Sequence, residues 1–297
     1  MSEPTIPPPE EPAAGMPNIA LPTFGAKQFW ADVLVYAGWR IQENALTGHH
    51  RLLDPGDVRR AWGSLEACRA ALDAARESEG FRPTSRRLAI LLHGLFRSRA
   101  SMEKLAGAMQ EAGYEPVAVT YSSSRRSLAE HAERLERLLG SIEDADEVSF
   151  VTHSLGALVV RQALARKGPW MDRLRVHRLA MLAPPNRGSA LADRLKGFPP
   201  FEWIAGPSGL AATSEEVEKL PAPSCRFAVI AGGRGDGKGW NPLVPGDDDG
   251  VVGVEETRID GAEDFLVVNA FHTVIMDHAE VIEAVIRYLR TGKLREN

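Results

Sequence analysis

The 297-residue chain has only two cysteines, Cys68 and Cys225, too few for a disulfide framework or a cysteine-based metal site. That count fits a reducing compartment, and Cys68, inside a helical pattern, is expected to behave as a small buried apolar residue. Positive charge is not in excess either: 35 Lys and Arg stand against 40 Asp and Glu, a net charge of −5. With no basic stripe and no cationic cluster interleaved with aromatics, a nucleic-acid backbone finds little to bind. Long apolar runs are also missing. The stretch "FWADVLVYAGW" is broken by Asp32 and falls short of the ~20 residues of a membrane span, so no transmembrane segment is expected. The opening "MSEPTIPPPEEPAAGMPN" lacks the positive and apolar regions of a leader. Residues 1–22 therefore read as a disordered tail, and the protein as cytoplasmic.

What the chain does have is 44% hydrophobic residues, enough for a sizeable core. Residues 26–42 place Phe29, Trp30, Val33, Leu34, Tyr36, Ala37 and Ile41 on a broad helical face. Asp54 as N-cap with Pro55 behind it signals a second helix through Val58, Trp62, Leu65 and Leu72. Residues 23–80 are thus expected to form a helical N-terminal extension. From residue 87 short apolar runs alternate with helical patterns. Runs at 87–94, 116–121, 147–152, 176–182, 226–232 and 264–270 read as six strands, several of them apolar throughout, as in a sheet buried on both faces. Helices are expected over 101–112, from a Ser127/Glu130 capping box to Gly140, and over 278–290. This alternation argues an α/β fold with a mainly parallel sheet flanked by helices, occupying residues 81–297.

The stretch "SFVTHSLGALVVRQ" (149–162) sets Ser154 where a strand stops and a helix starts. In an open α/β sheet ligands bind beyond the carboxyl ends of strands, and a tight strand–turn–helix exposes the side chain at its apex. Ser154 is therefore placed as a nucleophile. Gly156 supplies one of the small neighbours such a turn needs, while Thr152 stands where the G-x-S-x-G pattern has glycine. "LLHGLFRS" (91–98) ends an earlier strand at His93-Gly94, so that the Leu95 amide can turn into the crevice. With the amide of Leu155 it makes a two-donor oxyanion hole. His93 and His153 read as packing and hydrogen-bonding residues.

His93-Gly94, the elbow Thr152-His153-Ser154-Leu155-Gly156, and "LAPPNRGS" (182–189) resemble the α/β-hydrolase superfamily over about residues 87–292. Within it they are similar to bacterial lipases and esterases and to the GPI inositol-deacylase and lecithin–cholesterol acyltransferase groups. The family's order of nucleophile, acid and histidine implies an acid in "PGDDDGVVGVEE" (245–256), where Asp249 is selected ahead of Asp247 and Asp248, and a base in the last loop, where His272 is preferred to His278. The resemblance implies a carboxylic-ester hydrolase, a serine esterase or lipase working through an acyl-enzyme, with no cofactor and no metal, on a small-molecule or lipid-like acyl ester. A thioesterase, acyltransferase or amidase, or a non-catalytic binding member of the fold, stays open. Residues 189–223 interrupt the alternation as a short cap, and Phe198, Phe201, Trp203 and Ile204 are expected to line an acyl pocket in it. The stretch "GGRGDGKG" (232–239) formally fits a phosphate-cradling loop, but Gly239 replaces the required Ser or Thr, so it reads as a flexible glycine-rich loop.

Overall fold

The computed structural model describes residues 21–22 and 29–296. Its N-terminal part is a sheet, which corrects the expected helical extension. Strands β1 (Leu21–Pro22), β2 (Trp30–Tyr36), β3 (Trp39–Asn44), β4 (His50–Leu53) and β5 (Val58–Gly63) form an antiparallel sheet in the order β1-β5-β4-β3-β2. Helix α1 (Leu65–Glu79) follows, capped by the Ser64 side chain and ended by Gly80 in the left-handed region. The expected tail, residues 1–22, lies outside the described residues except for Leu21 and Pro22, which form β1.

Two local features explain why strands win here. Ala37 and Gly38 both take positive φ, 47° and 82°, and join β2 to β3 with Tyr36 opposite Trp39, a two-residue reverse turn suited to a hairpin. Asp54 does cap backbone amides, as its residue type suggests, but those of Gly56 and Val58. It closes the turn between β4 and β5 rather than starting a helix. The helical part of the expected second helix begins at Leu65. Cys68 and Leu72 from α1 pack with Leu34, Trp39, Ile41, Leu52 and Ala61 in a local core.

The second sheet is the expected one. Strands β6 (Leu88–Leu92), β7 (Glu115–Val119), β8 (Glu147–His153), β9 (Arg175–Leu182), β10 (Phe227–Gly233) and β11 (Asp264–Asn269) run in the order β11-β10-β9-β8-β6-β7, every pair parallel. Helices α2 (Glu103–Glu111), α3 (Leu128–Gly140) and α4 (Leu155–Arg166) connect the strands, and α8 (Ala279–Thr291) follows the last of them. The capping box of α3 has both reciprocal bonds. Strand β6 shows why its sequence is continuously apolar: Ile90 and Leu92 join Leu135, Leu138 and Leu158 in one core layer, whereas Ala89 and Leu91 join Met102, Leu105 and Val285 in the other. A cap of α5 (Ala190–Leu195), α6 (Pro199–Leu210) and α7 (Ser214–Val217) lies between β9 and β10. Among the described residues no helix is long and apolar enough to cross a membrane.

The two sheets meet where β2 passes the end of β7. The Asp32 amide donates to the Thr120 carbonyl at 2.9 Å, and the Asp32 carboxylate, 2% exposed, accepts from the Thr120 amide at 2.7 Å, Arg40 Nη1 at 2.8 Å and Gln42 Nε2 at 2.8 Å. Arg40 also donates to the Ala118 carbonyl. A buried carboxylate with three donors is tolerated only while all remain in place. Replacing Asp32→Ala leaves the Arg40 cation buried without its partner and is expected to destabilise the fold by about 3–5 kcal/mol. Denaturant titration against wild type checks this; a loss below about 1 kcal/mol would mean that the cluster is not what joins the sheets.

Candidate active site

Strand β8 delivers Ser154 at φ 52°, ψ −119°, a region that side-chain-bearing residues rarely occupy. The backbone is held there by its neighbours: the Ser154 amide donates to the Leu182 carbonyl at 2.9 Å, and α4 begins at the next residue. The closeness of the packing explains the small residues. A Cβ at position 156 would lie 2.7 Å from the Leu92 carbonyl oxygen, and one at position 94 would lie 3.1 Å from Ser154 Cβ. Thr152 fits where the pattern has glycine because it is still a strand residue, in register with Leu92 and Met181.

The turn after β6 brings Leu95 to the cavity that Ser154 lines. His93 donates from Nδ1 to the Gly94 carbonyl at 2.8 Å, its ring stacks on Tyr121 at 4.3 Å, and the Tyr121 hydroxyl donates to the His93 carbonyl. Leu155 opens α4, so its amide has no acceptor within the helix. Leu95, Ser154, Leu155 and His272 line one cavity of about 280 Å³.

His272 follows β11, and its Nδ1 lies 2.7 Å from Asp249 Oδ2, with Asp249 fully buried. The other oxygen of Asp249 accepts from the amides of Val251 and Val252, at 3.0 and 2.8 Å, and the His272 amide donates to the Asp249 carbonyl at 2.9 Å. The bond to Asp249 directs the His272 Nδ1 proton toward the carboxylate and leaves Nε2 as the unprotonated nitrogen of the neutral ring. The two other aspartates are occupied elsewhere. Asp247 accepts from the amides of Arg234 and Gly235, and Asp248 from those of Asn241 and Gly250. A Cβ at position 239 would collide with the Asp248 carboxylate, 1.7 Å away, so the glycine-rich loop is bound to the acidic run and its last glycine admits no Ser or Thr. His278 stands at the N-terminus of α8. Among the described residues no group of three His, Cys, Asp or Glu side chains could hold a metal ion.

The cap contributes a different surface from the one expected. Phe198 and Trp203 are 54% and 81% exposed and do not line the cavity, which corrects that expectation for both; the side chains of Phe201 and Ile204 lie outside the described residues. Leu191, Ala192, Leu195, Gly209 and Ala212 line it instead, opposite Val251 and Val252. Helix α6 turns its small residues inward, with Ala205 and Ser208 fully buried, because its backbone is drawn close to the main domain: a Cβ at Gly206 would lie 1.9 Å from the Ser124 carbonyl oxygen. Nothing in the sequence separated these small and aliphatic side chains from ordinary core.

Three buried histidines surround the site. Burial pushes His93 and His131 down to about 4, and burial reinforced by the neighbouring His272 holds His153 well below the usual histidine range. His153 is thereby a neutral donor, from Nε2 to the His272 carbonyl at 2.9 Å.

The fold resembles solved structures whose sequences are distant. The mature form of lipase BlEst2 from Bacillus licheniformis is 17% identical, with 70% of this chain and 93% of that one covered and a TM-score of 0.56. The metagenomic carboxyl esterase MGS0156 is 16% identical, with 70% and 77% covered and a TM-score of 0.53. A family model described as "Domain of unknown function (DUF7379)" matches residues 57–197. No curated protein sequence matches the chain. The six-stranded parallel sheet, its flanking helices and these likenesses define the class: the chain has the α/β-hydrolase fold.

Two measurements follow from this geometry. Gly156→Ala is expected to destabilise the protein by about 1–3 kcal/mol through overpacking against Leu92, read as a lower denaturation midpoint; an unchanged midpoint would show that the elbow has slack. Because the buried histidines are neutral when folded but gain protons when unfolded below about pH 6.5, stability is expected to fall as pH drops from about 6.5 toward 4, each histidine adding up to ~1.4 kcal/mol per pH unit. His131→Gln should shallow that slope in a pH series of denaturant titrations, and an unaltered slope would remove His131 from the account.

Proposed function

We propose that the protein is a serine ester hydrolase with Ser154 as nucleophile, His272 as general base and Asp249 as the acid behind it. The observation that carries this reading is the convergence of Ser154, the Asp249-bound His272, Leu95 and Leu155 on one cavity. Serine is a weak nucleophile until a base takes its proton as it attacks. His272 Nε2 accepts that proton, and the anionic Asp249, fixed by two amides, stabilises the resulting imidazolium. Ser154 Oγ bonds to the carbonyl carbon, and the oxyanion is received by the Leu95 and Leu155 amides at the positive end of α4. Collapse of the tetrahedral intermediate breaks the ester C–O bond, with His272 returning the proton to the leaving alcohol. A water molecule, deprotonated in turn by His272, attacks the acyl-enzyme and releases the carboxylic acid and free Ser154. The names of the two structural neighbours, a lipase and a carboxyl esterase, agree with this activity.

Wild-type protein is expected to hydrolyse p-nitrophenyl butyrate and to be labelled at Ser154 by a fluorophosphonate. Ser154→Ala should lower kcat by about 10⁶-fold, to background, and Asp249→Asn by about 10⁴-fold by favouring the wrong tautomer of His272. Folded wild type that neither turns over nor labels would point to a binding member of the fold.

A further inference from the structure

The cap supplies one wall of the cavity beside Ser154, and the lining is largely apolar. Among the described residues lining it, Arg97 is the one with a permanent charge, and Arg97 belongs to the oxyanion turn, where its guanidinium is bonded to the Thr273 carbonyl. The cap's share of the wall comes from Leu191, Ala192, Leu195 and Ala212. Besides the nucleophile Ser154 and the exposed Thr273, two hydroxyls line the cavity, and both are committed. Ser208 donates to the Arg126 carbonyl at 2.7 Å and pairs with His131 Nε2 at 3.0 Å, while Ser189 bonds the Val251 carbonyl and the Ala192 amide, both at 3.4 Å. A charged or hydroxylated acyl chain would lose its hydration there and find no partner.

Size sets the second limit. An apolar cavity of about 150 Å³ holds benzene, so about 280 Å³ holds roughly eleven heavy atoms at the same packing. That is the carboxyl carbon and oxygen plus a linear tail, an acyl group of about eight to ten carbons.

Resting on the reading of Ser154 as nucleophile, we propose that this cavity is a pocket for uncharged medium-chain acyl groups, and that Ala212 and Leu195 of the cap determine the chain length it accepts. Shorter acyl groups leave apolar wall unfilled, and each methylene added inside is worth up to about four-fold in kcat/KM. Longer ones exceed the space beneath the cap.

The test is kcat/KM for p-nitrophenyl acetate, butyrate, octanoate, decanoate and palmitate, each below its aggregation concentration, with wild type, Ser154→Ala, Ala212→Phe and Leu195→Ala. Wild type should peak at octanoate or decanoate, at least 30-fold above acetate and ten-fold above palmitate. Ala212→Phe should lower the octanoate-to-acetate ratio at least ten-fold, and Leu195→Ala should move the maximum toward longer chains. These opposed shifts are not what general damage to the fold produces, and either variant decides the matter if the other does not fold. Ser154-dependent hydrolysis with a flat profile, a profile rising through palmitate, or a maximum unmoved by both variants overturns the pocket assignment and leaves the nucleophile standing. Wild type that hydrolyses none of the esters overturns both.

Discussion

Ser154 occupies a backbone conformation that costs about 1–3 kcal/mol for a residue with a side chain, and the arrangement around it depends on that conformation being held. The strain is confined by contacts on both sides of the turn. Strand β8 is paired along its length with β6 and β9, and α4 starts at once with nine buried residues, so neither side can rotate to relieve the turn. Gly94 and Gly156 let β6 and α4 approach until a single methyl group would collide. One constraint thus places the hydroxyl, a helix N-terminal amide and the Leu95 turn within one cavity.

The acidic side of the site is built by a different principle. Three consecutive aspartates share a loop, yet each is held by its own set of backbone donors. Asp247 and Asp248 fasten the glycine-rich loop, and Asp249 is left to face His272 with one oxygen while two amides hold the other. A carboxylate anchored in this way cannot swing away from the imidazole, and its charge is balanced by hydrogen bonds rather than by a cation. Orientation of the histidine therefore follows from the backbone path of residues 247–252.

The N-terminal sheet serves the same domain from the outside. Strand β7 ends the parallel sheet, and an exposed edge strand is a template for unwanted pairing. Here β2 meets the chain leaving that edge through the Asp32 and Thr120 backbones, with the Asp32 carboxylate holding Arg40 and Gln42 at the junction. The polar cluster is specific where an apolar contact would slide, because every donor meets its acceptors at defined positions.

The six parallel strands were legible because a strand buried on both faces must be apolar along its length, and the elbow because the tight turn demands Gly156 beside Ser154. The hydrophobic pattern of residues 26–42 could not separate helix from hairpin: a short apolar run satisfies both periods, and the Ala37-Gly38 turn shows itself only once the strands pair. Asp54 advertised a cap but not which backbone it would cap. Phe198 and Trp203 looked like pocket residues by size, yet the close approach of Gly206 to Ser124 turns the small face of α6 inward and theirs outward. Local sequence determined which segments are buried in the sheet and where the chain must turn sharply, since both are dictated by residue type within a few positions. Asp249 could be singled out only through the family resemblance, since residue type does not distinguish three consecutive aspartates; its contact with His272, 23 residues on, and the set of side chains that wall the cavity are decided by tertiary structure, which brings distant segments together.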